Sequence, residues 1–374
     1  MKIVILVRIL WSAGAQKAAI DEAKEFKRMG LDVKLVFLRK TESGNVYLPL
    51  LTEIDWEVMS KGTSSFMTPF YNKLTGIFMP DRKGDGRLDY DLIRAFPDYI
   101  INYKPDLIIC HDQWAGLAGY YTFRKYGVKF VTLLHESLGK YNVPVLGKLA
   151  NRYEKNVLRN SQKIFAINEK IAESVSHEYG LSAIVDYHGM DVKKRPDYGS
   201  KSNVILANST WDSNRATDIY LKILEALPNF NIQMVGRWRD PNLKLHYEKL
   251  VVQHNLEKRF ELRENVAESE MEKLYLRSKF LIRFGYKENG NPNGIIDALS
   301  YGTVPILNNE LGIAKIIKEF DAGIVLDSID AVSVINGINK LDKADKYTEV
   351  QSNMNMLSSV YTWKKHCKVI LDNI

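Results

Sequence analysis

Short, uniformly apolar runs alternate along this chain with longer segments whose apolar residues recur at helical spacing. The runs are Ile3 to Val7, Val33 to Leu38, Leu107 to Cys110, Phe130 to Leu134, Ile164 to Ile167, Val204 to Ala207, Ile232 to Val235, Phe280 to Phe284, Val304 to Leu307 and Ile324 to Leu326. A strand that is apolar at every position, rather than at alternate ones, is covered on both faces, and the intervening helices supply that cover. The pattern predicts an α/β class of doubly wound parallel sheets. Glycines stand where left-handed helix caps belong: Gly30 after Gln16 to Met29, Gly127 after Gln113 to Tyr126, and Gly180 after Glu169 to Tyr179.

The alternation lapses between Tyr187 and Asn203, through His188-Gly189-Met190-Asp191 and the basic stretch Lys193-Lys194-Arg195-Pro196, and then restarts with a fresh strand. A chain of 374 residues exceeds the roughly 250 to 300 that one core serves. We therefore expect a first Rossmann-like domain over 1–190, a second over 191–355, and a last amphipathic helix within 356–374 that packs back on the body. Open α/β sheets bind ligands beyond the carboxyl ends of their strands, so the chemistry is expected in a cleft there.

Composition narrows the field. With 45% hydrophobic and 26% charged residues the chain is globular, and collagen-like, low-complexity and disordered classes are excluded. Lys plus Arg (52) less Asp plus Glu (45) leaves +7, which favours anionic partners without choosing among them. No basic recognition helix or stacking platform accompanies that charge, so nucleic acid is not an expected partner. Cys110 and Cys367 are the only cysteines, which fits inert thiols in a reducing, cytoplasmic setting. Arg8 interrupts the first apolar run, which reads as a strand and not as a leader. Phe66, Met67, Phe70, Tyr71, Leu74, Ile77 and Phe78 recur at helical spacing among Lys61, Lys73, Arg82 and Lys83. That stripe fits core packing, a cleft lid, or peripheral contact with the inner face of a membrane.

The most informative stretch is Lys287-Glu288-Asn289-Gly290-Asn291-Pro292-Asn293-Gly294-Ile295-Ile296-Asp297, a polar turn between a strand and a helix. Free N–H groups and a positive helix end there would receive an anion; the plainer reading is a connection capped by Asn293 and complemented by Asp297. Arg215, expected at the head of a helix over 215–227, can reach a diphosphate bidentately, although a lone arginine is more often a solvated one. In the first half, His111-Asp112 and His135-Glu136 end two strands. Asp112 also suits a helix cap, and two imidazoles without a third ligand make a poor metal site, so substrate contacts are favoured over zinc. The loop Trp11-Ser12-Ala13-Gly14-Ala15 lacks the dinucleotide glycine spacing. Asp89-Tyr90-Asp91 follows no apolar strand and is read as a chance match to a metal-binding acid pair.

Together these segments resemble the glycosyltransferase family 4 enzymes, retaining transferases of the GT-B fold, over nearly the whole chain. Asn289-Gly290-Asn291-Pro292-Asn293-Gly294-Ile295-Ile296-Asp297 followed by Tyr301-Gly302-Thr303-Val304-Pro305 is similar to the family's acid, seven residues, glutamate motif and its Gly-Thr-Pro-Val sequel. Asp106 to Asp112, Leu133-Leu134-His135 and His188-Gly189-Met190-Asp191 resemble further family segments. The family's glutamate aligns with Asp297, its first acid with Asn289 beside Glu288, its donor-binding arginine and lysine with Ser209 and Arg215, and its paired glycines with Ala13-Gly14.

The resemblance implies a metal-independent transfer of a hexose-type sugar from a nucleoside-diphosphate sugar to a hydroxyl of a glycan, a glycolipid or another acceptor, with no cofactor. Arg215, Glu288, Asn289 and His135 are the catalytic candidates it implies. The donor would meet Gly14, Ser209, Arg215, Gly290, Asn291, Asn293, Gly294 and Asp297, and the acceptor His111, Asp112 and His135. The alternatives are a nucleotide-sugar epimerase on the same fold, and a non-catalytic nucleotide-sugar-binding subunit of a glycan assembly complex.

Overall fold

A computed structural model describes residues 1–11, 13–41, 47–59, 89–138, 146–193, 195–215, 217–286 and 288–374. The Phe66 to Phe78 stripe and its flanking cations lie outside these residues. The chain forms two compact units, one of Met1–His188 with Trp363–Ile374 and one of Gly189–Thr362. The first boundary falls two residues before the expected one, and the chain returns to the first unit at Trp363, seven residues after 356.

In the first unit the strands are β1 (Lys2–Leu10), β2 (Asp32–Lys40), β3 (Asp55–Val58), β4 (Leu107–His111), β5 (Lys129–Leu134), β6 (Ile164–Ala166) and β7 (Ile184–Val185). Among the described residues they form one sheet in the order β3-β2-β1-β4-β5-β6-β7, with every pairing parallel. The unbroken apolar run of β1 has its explanation here. Ile3, Ile5 and Val7 enter one core with Phe26, Ile171 and Val175, while Val4 and Leu6 enter another with Phe96, Trp114 and Leu117. Cys367 and Ile370, from the helix Trp363–Asp372, complete the first of these cores as expected of the last helix. Cys110 and Cys367 are buried free thiols, and burial pushes both up, away from thiolate chemistry.

The second unit repeats the plan with β8 (Ser202–Asn208), β9 (Asn231–Val235), β10 (Phe260–Arg263), β11 (Ser278–Arg283), β12 (Val304–Asn308) and β13 (Ile324–Leu326). Their order is β10-β9-β8-β11-β12-β13, again with parallel pairing. All ten expected strands are present. The three that the pattern did not announce, β3, β7 and β10, each lie at a sheet edge. Asp-Trp-Glu-Val and Phe-Glu-Leu-Arg alternate polar with apolar because an edge strand needs cover on only part of its surface.

Gly30, Gly127 and Gly180 adopt positive φ (83, 71 and 63°) at their helix ends, as expected. The basic segment at the boundary is anchored within the second unit, with Arg195 Nε donating to Ser300 O at 3.2 Å and Gln351 Nε2 to Pro196 O at 3.2 Å. No helix among the described residues is long and apolar enough to cross a membrane.

The helix Gln113–Tyr126 lies against β4 and β5 through glycines. A Cβ on Gly119 would stand 2.7 Å from Cys110 Sγ and 2.9 Å from the Phe130 ring. Alanine would gain about 1 kcal/mol of helix propensity, but overpacking a filled interior costs about 1–3 kcal/mol, so the clash wins. Gly119→Ala should lower the urea midpoint with the m-value unchanged.

Candidate functional site

In a doubly wound sheet, ligands bind at the switch point, where the strand order reverses. The switch falls between β8 and β11 in the second unit and between β1 and β4 in the first. The candidate residues cluster behind these strands.

In the second unit, Asn208 closes β8 and donates through Nδ2 to the Tyr275 hydroxyl at 2.9 Å. The chain beyond is laid along the loop after β9. Ser209 N donates to Val235 O (3.1 Å), Trp211 N to Arg237 O (2.8 Å), and Trp211 Nε1 to Val235 O (3.0 Å). Trp211 is buried against Tyr220 and Trp238. Gly236 adopts φ 127°, and a Cβ there would collide with the Ser209 carbonyl oxygen, so the two loops approach as closely as backbone permits. Arg215 ends a short 3-10 turn, Ser213–Arg215, and the helix begins only at Ile219. This corrects the expected helix over 215–227: the pinned loop must turn before the helix can start.

Arg215 forms an ion pair with Glu288, and Arg283, at the end of β11, donates through Nη2 to both Glu288 oxygens at 2.9 and 3.0 Å. Arg215 and the polar turn thus meet through Glu288. Arg283 was not singled out from sequence, although an arginine between Ile282 and Phe284 in an apolar run is itself a signal that a counter-ion must lie near. Burial pushes its guanidinium down, and the Glu288 charge opposes that push. Glu288 is therefore a shared counter-ion for two arginines.

Gly285 makes the pairing possible, because a Cβ there would strike Glu288 and stand 2.9 Å from Arg215 Nη1. Asn308 fixes this glycine, accepting from its N–H at 3.1 Å and donating to its carbonyl at 2.9 Å. The Gly290 carbonyl accepts from Gly312 N at 3.0 Å. Pro292, not Asn293, occupies the cap position of the helix Asn293–Ser300, with no side-chain cap bond and no acid in the first turn. Asp297 lies one turn on and half-buried, so neither plain reading of the turn survives. Gly294 lies beside Asn208, where a Cβ would stand 3.3 Å from its Nδ2. Asn289 and Gly290 are half-buried and Asn291 is buried.

In the first unit, Gly14 is the first residue of the helix Gly14–Arg28, behind β1. Asp112 follows β4 at φ 91° and caps the helix Gln113–Tyr126, accepting from Trp114 N and Ala115 N at 2.7 Å each. Its other oxygen pairs with Arg8 Nε at 2.8 Å. The carboxylate expected at an acceptor is thus committed to cap and ion pair. Asp89 pairs with Arg39 in the interior.

His111 and His135 do converge. His111 Nδ1 and His135 Nε2 are 2.9 Å apart, with the rings stacked at 5.0 Å. Behind them lies a polar cluster that the sequence did not announce. His188 stacks obliquely on His135 at 5.0 Å, and Trp363 flanks His188 at 6.1 Å. Glu22, wholly buried, places Oε2 3.0 Å from His366 Nε2 and 3.5 Å from His111 Nε2. Asp186 Oδ2 stands 2.8 Å from His366 Nδ1. Burial alone would raise Glu22, but His111 and His366 bring it to about 2. Burial alone would lower His366, but Asp186 and Glu22 raise it to about 10. His188 falls to about 3 through burial and then the neighbouring His366 and His111, and His135 is lowered well below the ordinary range by burial and then His111. Glu22 was legible in part, since it occupies the apolar stripe of its helix with Ala18, Ala19, Ala23 and Phe26.

Two doubly wound parallel units with polar clusters at their switch points define a GT-B-type class of protein. Residues 12–194 match the family described as Glycosyltransferase Family 4, and residues 192–355 match Glycosyl transferases group 1. The chain belongs to the GT-B glycosyltransferases that carry these two signatures. None of the curated proteins matches it. Among solved structures it is similar to HepE of Anabaena in complex with UDP-glucose, at 16% identity over 100% of both chains and a TM-score of 0.76. It is similar also to a glycosyltransferase of Rickettsia africae, at 16% identity over 99% of this chain and 97% of that one, TM-score 0.73. Sucrose-phosphate synthase of Thermosynechococcus elongatus is 13% identical over 100% of this chain and 98% of its own, TM-score 0.71. Such likenesses speak for the fold.

The first-unit cluster has a pH signature. Unfolded histidine titrates near 6.5, whereas folded His366 holds its proton to about 10, so its stabilisation is full below pH 6.5 and is lost as pH rises towards 10. His188 and His135 refuse a proton that the unfolded chain accepts below 6.5, and Glu22 does so below 4.5. These three terms lower stability as pH falls. We expect the unfolding temperature to peak near pH 6.5. The advantage of wild type over His366→Gln should shrink from pH 6.5 to 10.

Proposed function

We propose that the chain transfers a hexose-type sugar from a nucleoside-diphosphate sugar to an acceptor hydroxyl, with retention of anomeric configuration and without a metal ion. The observation that carries this reading is the convergence of Arg215 and Arg283 on one carboxylate, Glu288, in the turn that leads into the helix Asn293–Ser300. Donors arranged to hold the two oxygens of Glu288 suit the oxygens of a phosphate. A diphosphate would draw Arg215 from Glu288, while Arg283 keeps that carboxylate from remaining an unpaired charge. The position aligned with the family's missing cation, Ser209, thus has a functional replacement on the neighbouring strand, β11.

In this reading the bond between sugar carbon and leaving oxygen stretches into an oxocarbenium-like transition state, and the acceptor hydroxyl enters from the same face. Charge accumulates on the leaving phosphate, where Arg215, Arg283 and the N–H groups near Asn293 and Gly294 oppose it through preorganised dipoles. Asp297 holds ribose hydroxyls, and Asn289 with the Gly290 to Asn291 backbone holds the donor sugar. His135 and His111 contact the acceptor, which we take to be a glycan or a lipid-linked sugar; Asp112 contributes by fixing the loop that carries His111. HepE's complex with UDP-glucose makes a uridine donor the first to test.

A thermal-shift panel of nucleoside diphosphates and nucleotide sugars should show one base class stabilising the chain, by about 2.7 kcal/mol at a concentration of 100 Kd. Arg215→Ala and Arg283→Ala should each lower kcat/KM for sugar transfer by about 10²- to 10³-fold. EDTA should leave the rate unchanged. Binding without turnover in the presence of varied acceptors would favour a donor-binding subunit, and transfer at wild-type rates by both arginine variants would overturn the site.

A further inference from the structure

Four of the chain's seven histidines share the interior of the first unit. A lone buried imidazole is commonly satisfied by one backbone partner; here the partners are one another and two carboxylates. The order of the groups determines where the protons sit. His366 lies between Asp186 and Glu22 and carries a proton on each nitrogen, since a bare lone pair would face an anion on either side. Its positive charge in turn keeps Glu22 an anion in a fully buried site. His111 presents Nε2 to that anion at 3.5 Å. A lone pair there would be repelled and an N–H attracted, so a His111 ring with one proton carries it on Nε2 and leaves Nδ1 bare. His135 Nε2 is 2.9 Å from that Nδ1, and a hydrogen bond between them requires His135 to donate. The remaining nitrogen of His135, Nδ1, is then an acceptor, on a ring that is only half-buried.

We propose that Glu22, anchored by His366 and Asp186, is a positioning residue that sets the tautomers of His111 and His135 so that His135 offers a bare Nδ1 lone pair to a substrate hydroxyl. His188 supports the arrangement from the other side of His135. Both of its nitrogens are buried without a hydrogen-bond partner among the described residues, and it adds no competing donor to that ring. The groups facing His135 and His366 are thus His111, His188, Glu22, Asp186 and the Trp363 ring. The hydroxyl belongs to a sugar only if the glycosyl-transfer reading holds; the placement of protons does not depend on it. The reversed order, with Nδ1 of His135 protonated, would present a donor where the hydroxyl's own hydrogen must point. One carboxylate buried behind two rings therefore governs the polarity of that nitrogen.

Selective 15N-histidine labelling of the full chain reads the tautomers directly from long-range proton–nitrogen spectra, with His111→Gln and His135→Gln used for assignment. In wild type, His111 and His135 should each show a protonated Nε2 and a bare Nδ1. In Glu22→Gln, whose amide can donate to His111, the bare Nδ1 signal of His135 should be lost while the melting transition remains cooperative. His366→Gln, which strips Glu22 of its counter-charge, should produce the same reversal and serves if Glu22→Gln fails to fold. Where transfer is measured, Glu22→Gln should lower kcat about tenfold or more and leave the donor KM near its wild-type value. A protonated Nδ1 on wild-type His135, or an unchanged pattern in both folded variants, overturns the proposal. Wild-type tautomers as stated, together with no transfer to any acceptor, would uphold the positioning and defeat the glycosyl-transfer reading instead.

Discussion

Every strand pairing in both sheets is parallel, and parallel strands buried on two faces leave, away from the sheet edges, unpaired backbone and free side-chain positions only at their ends. Because all strands of a sheet point the same way, their carboxyl ends gather the loops that carry function, and the reversal of strand order parts those loops enough to admit a ligand. Both polar clusters sit behind the strands that flank that reversal. The interior of each sheet is committed to packing, so functional variation falls on what surrounds the strand ends, including the loops leaving Leu10, His111, Leu134, Asn208 and Arg283.

Charge is handled differently in the two clusters, with a common logic. In the second unit, two guanidiniums share one carboxylate, leaving an excess of positive charge in the turn before a helix start, and helix starts favour anions. In the first, two carboxylates enclose one imidazolium, and burial lowers the neighbouring His135 and His188. Taking several charges from water is costly unless each is paired and hydrogen-bonded. Both clusters meet that requirement internally, so each can be built before any substrate arrives.

Legibility in sequence followed the physical origin of each feature. Strands covered on both faces announced themselves as unbroken apolar runs; edge strands such as Asp55–Val58 and Phe260–Arg263 did not, because partial cover leaves an alternating pattern shared with many loops. The caps at Gly127 and Gly180 were legible since few other residues tolerate their backbone. Arg215 and the Asn289 to Asp297 turn were found through local order along the chain. Arg283 was hidden by the apolar run around it, and Asp112 was weighed both as a ligand and as a cap, of which the fold realises the cap. The pairing of Glu22 with His366 spans 344 positions, and no local pattern could have joined them.

The return of the chain at Trp363 has a consequence for biosynthesis. The first unit is discontinuous: Cys367 and Ile370 close its core and His366 neutralises Glu22, yet these residues emerge after the whole of the second unit. Domains that form one after another on the ribosome usually begin with the amino-terminal one. Here that order cannot be completed, because the nascent first unit must wait, with a buried acid lacking its counter-charge, until Trp363–Ile374 have been translated.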